Sequence, residues 1–113
     1  VIFIGSVVGM LGSTGQVNYA STKSGLVGMA RSFAREYGSR NITFNVVAPG
    51  FVETDMTAVL SEDLRSKYVA QIPLGRFCST EEISGVVKFL ASPEAGYITG
   101  ALVPVDGGLG MGH

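Results

Sequence analysis

I-T-F-N-V-V-A-P-G, residues 42–50, is a run of β-branched and apolar residues brought to a stop by a proline and a glycine. That composition predicts a buried strand over Ile42 to Ala48, and at Pro49-Gly50 neither a helix nor a central strand readily continues. Two similar runs stand on either side of it, Val1 to Ile4 upstream and Ala101 to Val105 downstream. Between the first two, apolar residues Met29, Ala30, Phe33, Ala34 and Tyr37 follow Leu26 at helical spacing, one stripe of a 3.6-residue period, with Gly38 as the expected stop. Between the second and third, Ser79 and Glu82 have capping-box spacing ahead of a stripe of Ile83, Val86, Val87 and Leu90, which Ser92-Pro93 closes. Strand, helix, strand, helix, strand is the alternation of an α/β fold, a parallel sheet covered by helices through right-handed crossovers.

The connections carry their own signals. Gly9, Gly12 and Gly15, with Ser13 and Thr14, form a turn-rich link after the first strand. Residues 51–75 hold a short helix expected from Ser61 to before Pro73, and an insertion of that length reads as a substrate lid. Gly25 and Gly28 lie inside the first helix, each costing about 1 kcal/mol relative to alanine, which the close approach of another helix would offset.

A chain of 113 residues makes at most one small domain, and since it opens at Val1, inside a strand, it reads as a partial domain. A formal net charge of −1 with 15% charged residues leaves no basic stripe for nucleic acid and no polybasic patch for a membrane surface. No apolar stretch approaches the roughly 20 residues of a bilayer span, so a soluble cytoplasmic protein is expected. The lone Cys78 excludes an internal disulfide, and the lone His113, as the last residue, leaves a metal cluster or a Ser-His-Asp triad without its usual parts.

Chemistry is expected at the C-terminal ends of the strands, where open parallel sheets bind their ligands. Ser6 falls just past the first strand, and Tyr19 and Lys23 are four residues apart on the following helix, on one face. A free tyrosine ionises near pKa ~10, and a neighbouring ammonium favours the phenolate, bringing Tyr19 towards acid-base work at neutral pH. Ser6 can then hold a carbonyl oxygen beside that proton donor. Pro49-Gly50 ends the neighbouring strand, so backbone from Gly50 to Thr54 borders the same crevice and can meet a flat cofactor ring.

The stretches I-G-S-V-V-G at 4–9, G-Q-V-N-Y-A-S-T-K-S-G-L at 15–26 and N-V-V-A-P-G-F-V-E-T-D-M at 45–56, with Y-I-T-G at 97–100 and V-D-G-G at 105–108, resemble the C-terminal half of a short-chain dehydrogenase/reductase. The branch they are most similar to reduces 3-oxoacyl groups carried on acyl carrier protein in bacterial fatty-acid synthesis. That resemblance implies the C-terminal part of a Rossmann-like doubly wound sheet, with residues 1–113 a partial domain lacking the cofactor-fingerprint half. It implies that Ser6 positions the substrate carbonyl, Tyr19 donates the proton, and Lys23 lowers the tyrosine pKa while binding the nicotinamide ribose of NADPH. By the same resemblance Pro49, Gly50, Val52 and Thr54 line the cofactor, Phe51 and Met56 face substrate, and the protein is a homodimer or homotetramer. The terminal glycines Gly107 to Gly112 have no helix after them and so do not make a phosphate-binding fingerprint. The isolated piece is expected to be inactive. The competing readings are a related reductase of a small ketone, sugar, steroid or quinone, and a non-catalytic oligomerisation fragment.

Overall fold

The structure, a computed structural model, describes residues 1–7 and 17–111. Three strands, β1 (Ile2–Ile4), β2 (Asn45–Pro49) and β3 (Leu102–Val105), form one parallel sheet in the order β1-β2-β3. The helices are α1 (Val17–Tyr37), a single turn α2 (Asp55–Ala58), α3 (Glu62–Ala70) and α4 (Thr80–Leu90).

Strand pleating sorts the side chains between two layers. Phe3, Val46 and Leu102 lie in one register row, and all three pack with Ala30, Phe33, Ala34 and Tyr37 of α1. On the opposite face Val47 and Val103, also paired in register, pack with Val86, Val87 and Leu90 of α4. The sheet is therefore covered on both faces, the doubly wound arrangement that the resemblance implies. Within the α1 stripe Met29 departs from expectation: it is 40% exposed, and Val27 joins the core beside Leu26.

The ends of the elements have identifiable reasons. α1 ends at Tyr37, immediately before the expected stop at Gly38, and passes into a 3₁₀ turn at Gly38–Arg40 that is closed by Asn41 in the left-handed conformation (φ 60°). Asparagine tolerates this conformation because its short polar side chain bonds locally. β2 starts at Asn45, not Ile42, because the Phe44 amide donates to the Thr99 hydroxyl and the Phe44 carbonyl accepts from Gly100. Pro49 belongs to β2. Along this strand the Val46 and Gly50 amides donate towards β3 and the Asn45 amide towards β1, so proline's missing donor falls on the β1 side, one step past the last paired residues, Ile4 and Val47, where the Pro49 carbonyl still accepts from the Val7 amide.

Asn45 is the one buried polar side chain among the described residues, 1% exposed at the start of β2. Its amide donates to the Ile98 carbonyl and its carbonyl accepts from the Ala101 amide, both at 3.0 Å. It thus fastens the Y-I-T-G turn to the sheet and sets where β3 begins. Substituting Asn45→Leu leaves a buried donor and a buried acceptor unpaired and is expected to cost about 2–4 kcal/mol, read by chemical denaturation.

Candidate active site

β1 is assigned three residues, but its ladder continues past them. The Gly5 amide donates to Val47 (2.7 Å) and the Val7 amide to Pro49 (3.1 Å), so Ser6 is carried between two bonded residues at the end of β2. Ser6 is half-buried there. The ammonium of Lys23 lies 3.5 Å from the Ile4 carbonyl, which brings α1 across the same strand end. Tyr19 is on α1 one turn before Lys23, while its side chain, like that of Met56 on α2, lies outside the described residues. The structure therefore places Ser6 and the Lys23 ammonium at one end of β1, with Tyr19 one turn before Lys23 on α1.

The backbone beyond β2 forms the other wall. At Gly50 a Cβ would sit 2.9 Å from the Asp106 Cβ, so the close approach of the β2 and β3 ends requires glycine. Phe51 to Glu53 then runs extended beside Cys78: the Cys78 amide donates to Phe51 (2.9 Å), and the Glu53 amide donates to Cys78 (2.7 Å). In such a parallel bridge the bonds come from the residues flanking Val52. The amide and carbonyl of Val52 face the opposite edge, and no hydrogen bond among the described residues uses them. A donor and an acceptor on one extended edge fit a planar carboxamide, so the residues present suit a nicotinamide. Thr54 opens α2, its amide donating to the Thr57 hydroxyl at 2.8 Å.

Phe51 and Glu53 alternate with Val52 and so share a face, where α3 holds both. The Phe51 ring stacks on Tyr68 at 4.6 Å and lies 5.7 Å from Phe77. Arg65 bonds both carboxylate oxygens of Glu53, and its guanidinium lies 4.5 Å from the centre of the Phe77 ring. Hydrogen bonding from Arg65 holds the Glu53 carboxyl below its ordinary range. Phe51 also borders a cavity of about 440 Å³ reaching Ile72, Pro73, Cys78 and Gly107. Burial pushes up the pKa of the Cys78 thiol, which donates to the Ser79 carbonyl at 3.3 Å.

The glycine-rich turn after β3 is internally satisfied. The Asp106 carboxylate accepts from the Gly108 amide at 3.0 Å and from the Gly110 amide at 2.8 Å. Those donors are engaged with a fixed anion of the protein itself. Gly107, with φ 63°, tucks against Ile72, where a Cβ would come within 2.8 Å of a side-chain carbon. Among the described residues no helix is long and apolar enough to cross a membrane, and no three His, Cys, Asp or Glu side chains cluster to hold a metal ion.

A doubly wound parallel sheet whose strand ends gather a serine, a Tyr-x-x-x-Lys helix and an open backbone edge defines a short-chain dehydrogenase/reductase, and the chain belongs to that family. The family model described as Enoyl-(Acyl carrier protein) reductase matches residues 1–110. The chain is 57% identical over 109 residues to the 3-oxoacyl-acyl-carrier-protein reductase FabG of Aquifex aeolicus, covering 96% of this chain and 44% of that protein. It is 57% identical over 111 residues to the FabG reductase of Escherichia coli, covering 98% and 46%. It is 54% identical over 112 residues to the 3-oxoacyl-acyl-carrier-protein reductase MabA of Mycobacterium tuberculosis, covering 99% and 45%. The chain thus spans under half the length of these curated relatives.

Sequence reasoning missed Glu53, Arg65 and Asn45. Asn45 had a signal, a lone amide inside an apolar strand. Glu53 and Arg65 had none, because their pairing depends on how an irregular segment folds back.

The wall segment 76–82 carries a measurable acid sensitivity. Glu82 closes the α4 capping box, accepting from the Ser79 amide at 3.0 Å, and takes two bonds from Arg76 at 2.7 and 2.9 Å. Arg76, then the Ser79 amide, lower its pKa from 4.5 to about 2. A depressed carboxylate contributes stability that is fully present above its unfolded value and lost as pH falls through its folded value. The stability difference between the parent protein and Glu82→Gln is therefore expected to shrink between pH 4.5 and about 2, and to be constant above that window. Denaturation midpoints at a series of pH values measure it.

Proposed function

We propose that the protein carrying this chain reduces the ketone of a 3-oxoacyl thioester, on acyl carrier protein, to the 3-hydroxyacyl thioester during fatty-acid synthesis. The observation carrying this reading is the joint placement of Ser6, the Lys23 ammonium and the open Val52 edge around the ends of β1 and β2. The identity of 54–57% to 3-oxoacyl reductases over nearly the whole chain supports the substrate class.

NADPH, when bound, supplies the hydride to the carbonyl carbon. Ser6 holds the carbonyl oxygen, and Tyr19 gives its phenolic proton to that oxygen, so the ketone becomes a secondary alcohol. Lys23 stabilises the phenolate that Tyr19 becomes and bonds the ribose, until solvent returns the proton. Pro49, Gly50, Val52 and Thr54 line the cofactor, with the Val52 peptide meeting the carboxamide. Phe51 and Met56 face the acyl chain.

Residues 1–113 are, on this reading, part of one larger domain whose other half holds the cofactor phosphates. The intact protein is a homodimer or homotetramer, and α1 is its contact helix. Supporting this, among the described residues no atom of a neighbouring side chain or segment comes within 4 Å of a Cβ built at Gly25 or Gly28.

The test follows NADPH absorbance in the intact protein with an acetoacetyl thioester. Tyr19→Phe is expected to lower kcat by roughly 10²–10⁴-fold, the range of a lost general acid; undiminished turnover would overturn the mechanism. The family description favours a second reading, reduction of an enoyl thioester. Turnover of a crotonyl thioester without turnover of the acetoacetyl thioester would establish that reading instead.

A further inference from the structure

The open edge of Val52 is held in place by contacts made on the other side of the strip. Phe51 and Glu53 flank Val52 and, by strand alternation, project to one face. Arg65 and Tyr68 stand three residues apart on α3 and so project from one face of that helix. The two pairs meet: Tyr68 stacks on Phe51 at 4.6 Å, and Arg65 forks onto Glu53. Arg65 is further fixed by the Phe77 ring at 4.5 Å and by the Thr57 carbonyl at 3.5 Å, which attaches it to α2 as well. One guanidinium thus joins α2, α3, the strip and the segment beside Cys78.

We propose that Arg65 is a positioning residue for cofactor binding, locking the Val52 peptide in place through Glu53 and so coupling α3 to the nicotinamide site. The proposal rests on the reductase reading above and deepens it. The Arg65 and Glu53 side chains remain 37% and 43% exposed, so their charge attraction is screened and contributes little to folding. What matters is geometry. A planar fork that bonds both carboxylate oxygens while lying against a ring fixes distance and orientation together, which a single ammonium does not. Without it, Glu53 turns to solvent and the Val52 donor and acceptor lose their common register.

The experiment titrates the intact protein with NADPH, reading cofactor fluorescence, alongside steady-state kinetics and thermal midpoints. Arg65→Met and Glu53→Gln are each expected to raise the NADPH Kd and KM by roughly five- to thirtyfold, because misplacement of a binding group weakens what it holds. The double variant should be no worse than either single one, since both remove the same interaction. Arg65→Lys should recover part of the affinity, and thermal midpoints should stay close to the parent value. The proposal is overturned if Arg65→Met binds NADPH as the parent does, if the two losses multiply, or if affinity falls only in step with the thermal midpoint. A parent protein that does not bind NADPH overturns the reductase reading and this inference with it. A parent that binds NADPH while Arg65→Met is unaffected overturns this inference alone.

Discussion

Val47 has no exposed surface: β1 and β3 pair with its strand on either edge, and on its own face it packs with Leu90 and Ala95. The preceding residue, Val46, packs into the opposite layer with Ala30 of α1. This two-sided burial of β2 fixes the register of the sheet, because a one-residue slip would exchange the two layers and turn Asn45 away from the turn it fastens. Parallel pairing then aligns the C-terminal ends of the strands. Ser6 and Gly50 come to the same end of the sheet for that reason alone.

The second wall of the site is irregular backbone, and its order comes from side chains rather than from a sheet. Phe51, Tyr68 and Phe77 form an aromatic cluster, and the Glu53–Arg65 pair closes its exposed side. Arg76 and Glu82 hold the neighbouring segment, and Asp106 organises the turn that Gly107 presses against Ile72. Local devices of this kind let a segment with little regular structure present one peptide edge in a defined direction.

How much of this was legible in the sequence depends on the range of the interaction. The α4 cap was readable because Ser79 and Glu82 are close neighbours, and the helical stripes because Ala30, Phe33, Ala34 and Tyr37 recur with one period. Limits of elements were less readable. Nothing local marks Thr99 as the partner of the Phe44 amide, 55 residues away, or Asn41 as the residue that closes the 3₁₀ turn in the left-handed conformation. The site followed the same rule. Ser6, Tyr19, Lys23 and the strip from Pro49 to Thr54 form recognisable short patterns, whereas Arg65 gains its meaning only when α3 folds back over Glu53. Met29 sits at a stripe position yet remains 40% exposed, while its neighbour Ala30 is buried.

The central proposal is that the peptide edge of Val52 beyond β2, which has no hydrogen-bond partner among the described residues, receives a nicotinamide amide. Amide hydrogen exchange of the intact protein with and without NADPH addresses it most directly, since the Val52 N–H makes no hydrogen bond among the described residues. The account predicts that Val52 exchanges fast alone and becomes strongly protected when NADPH binds, with slowing across Gly50 to Thr54. Saturating NADPH that protects other segments while leaving Val52 exchange unchanged would contradict it.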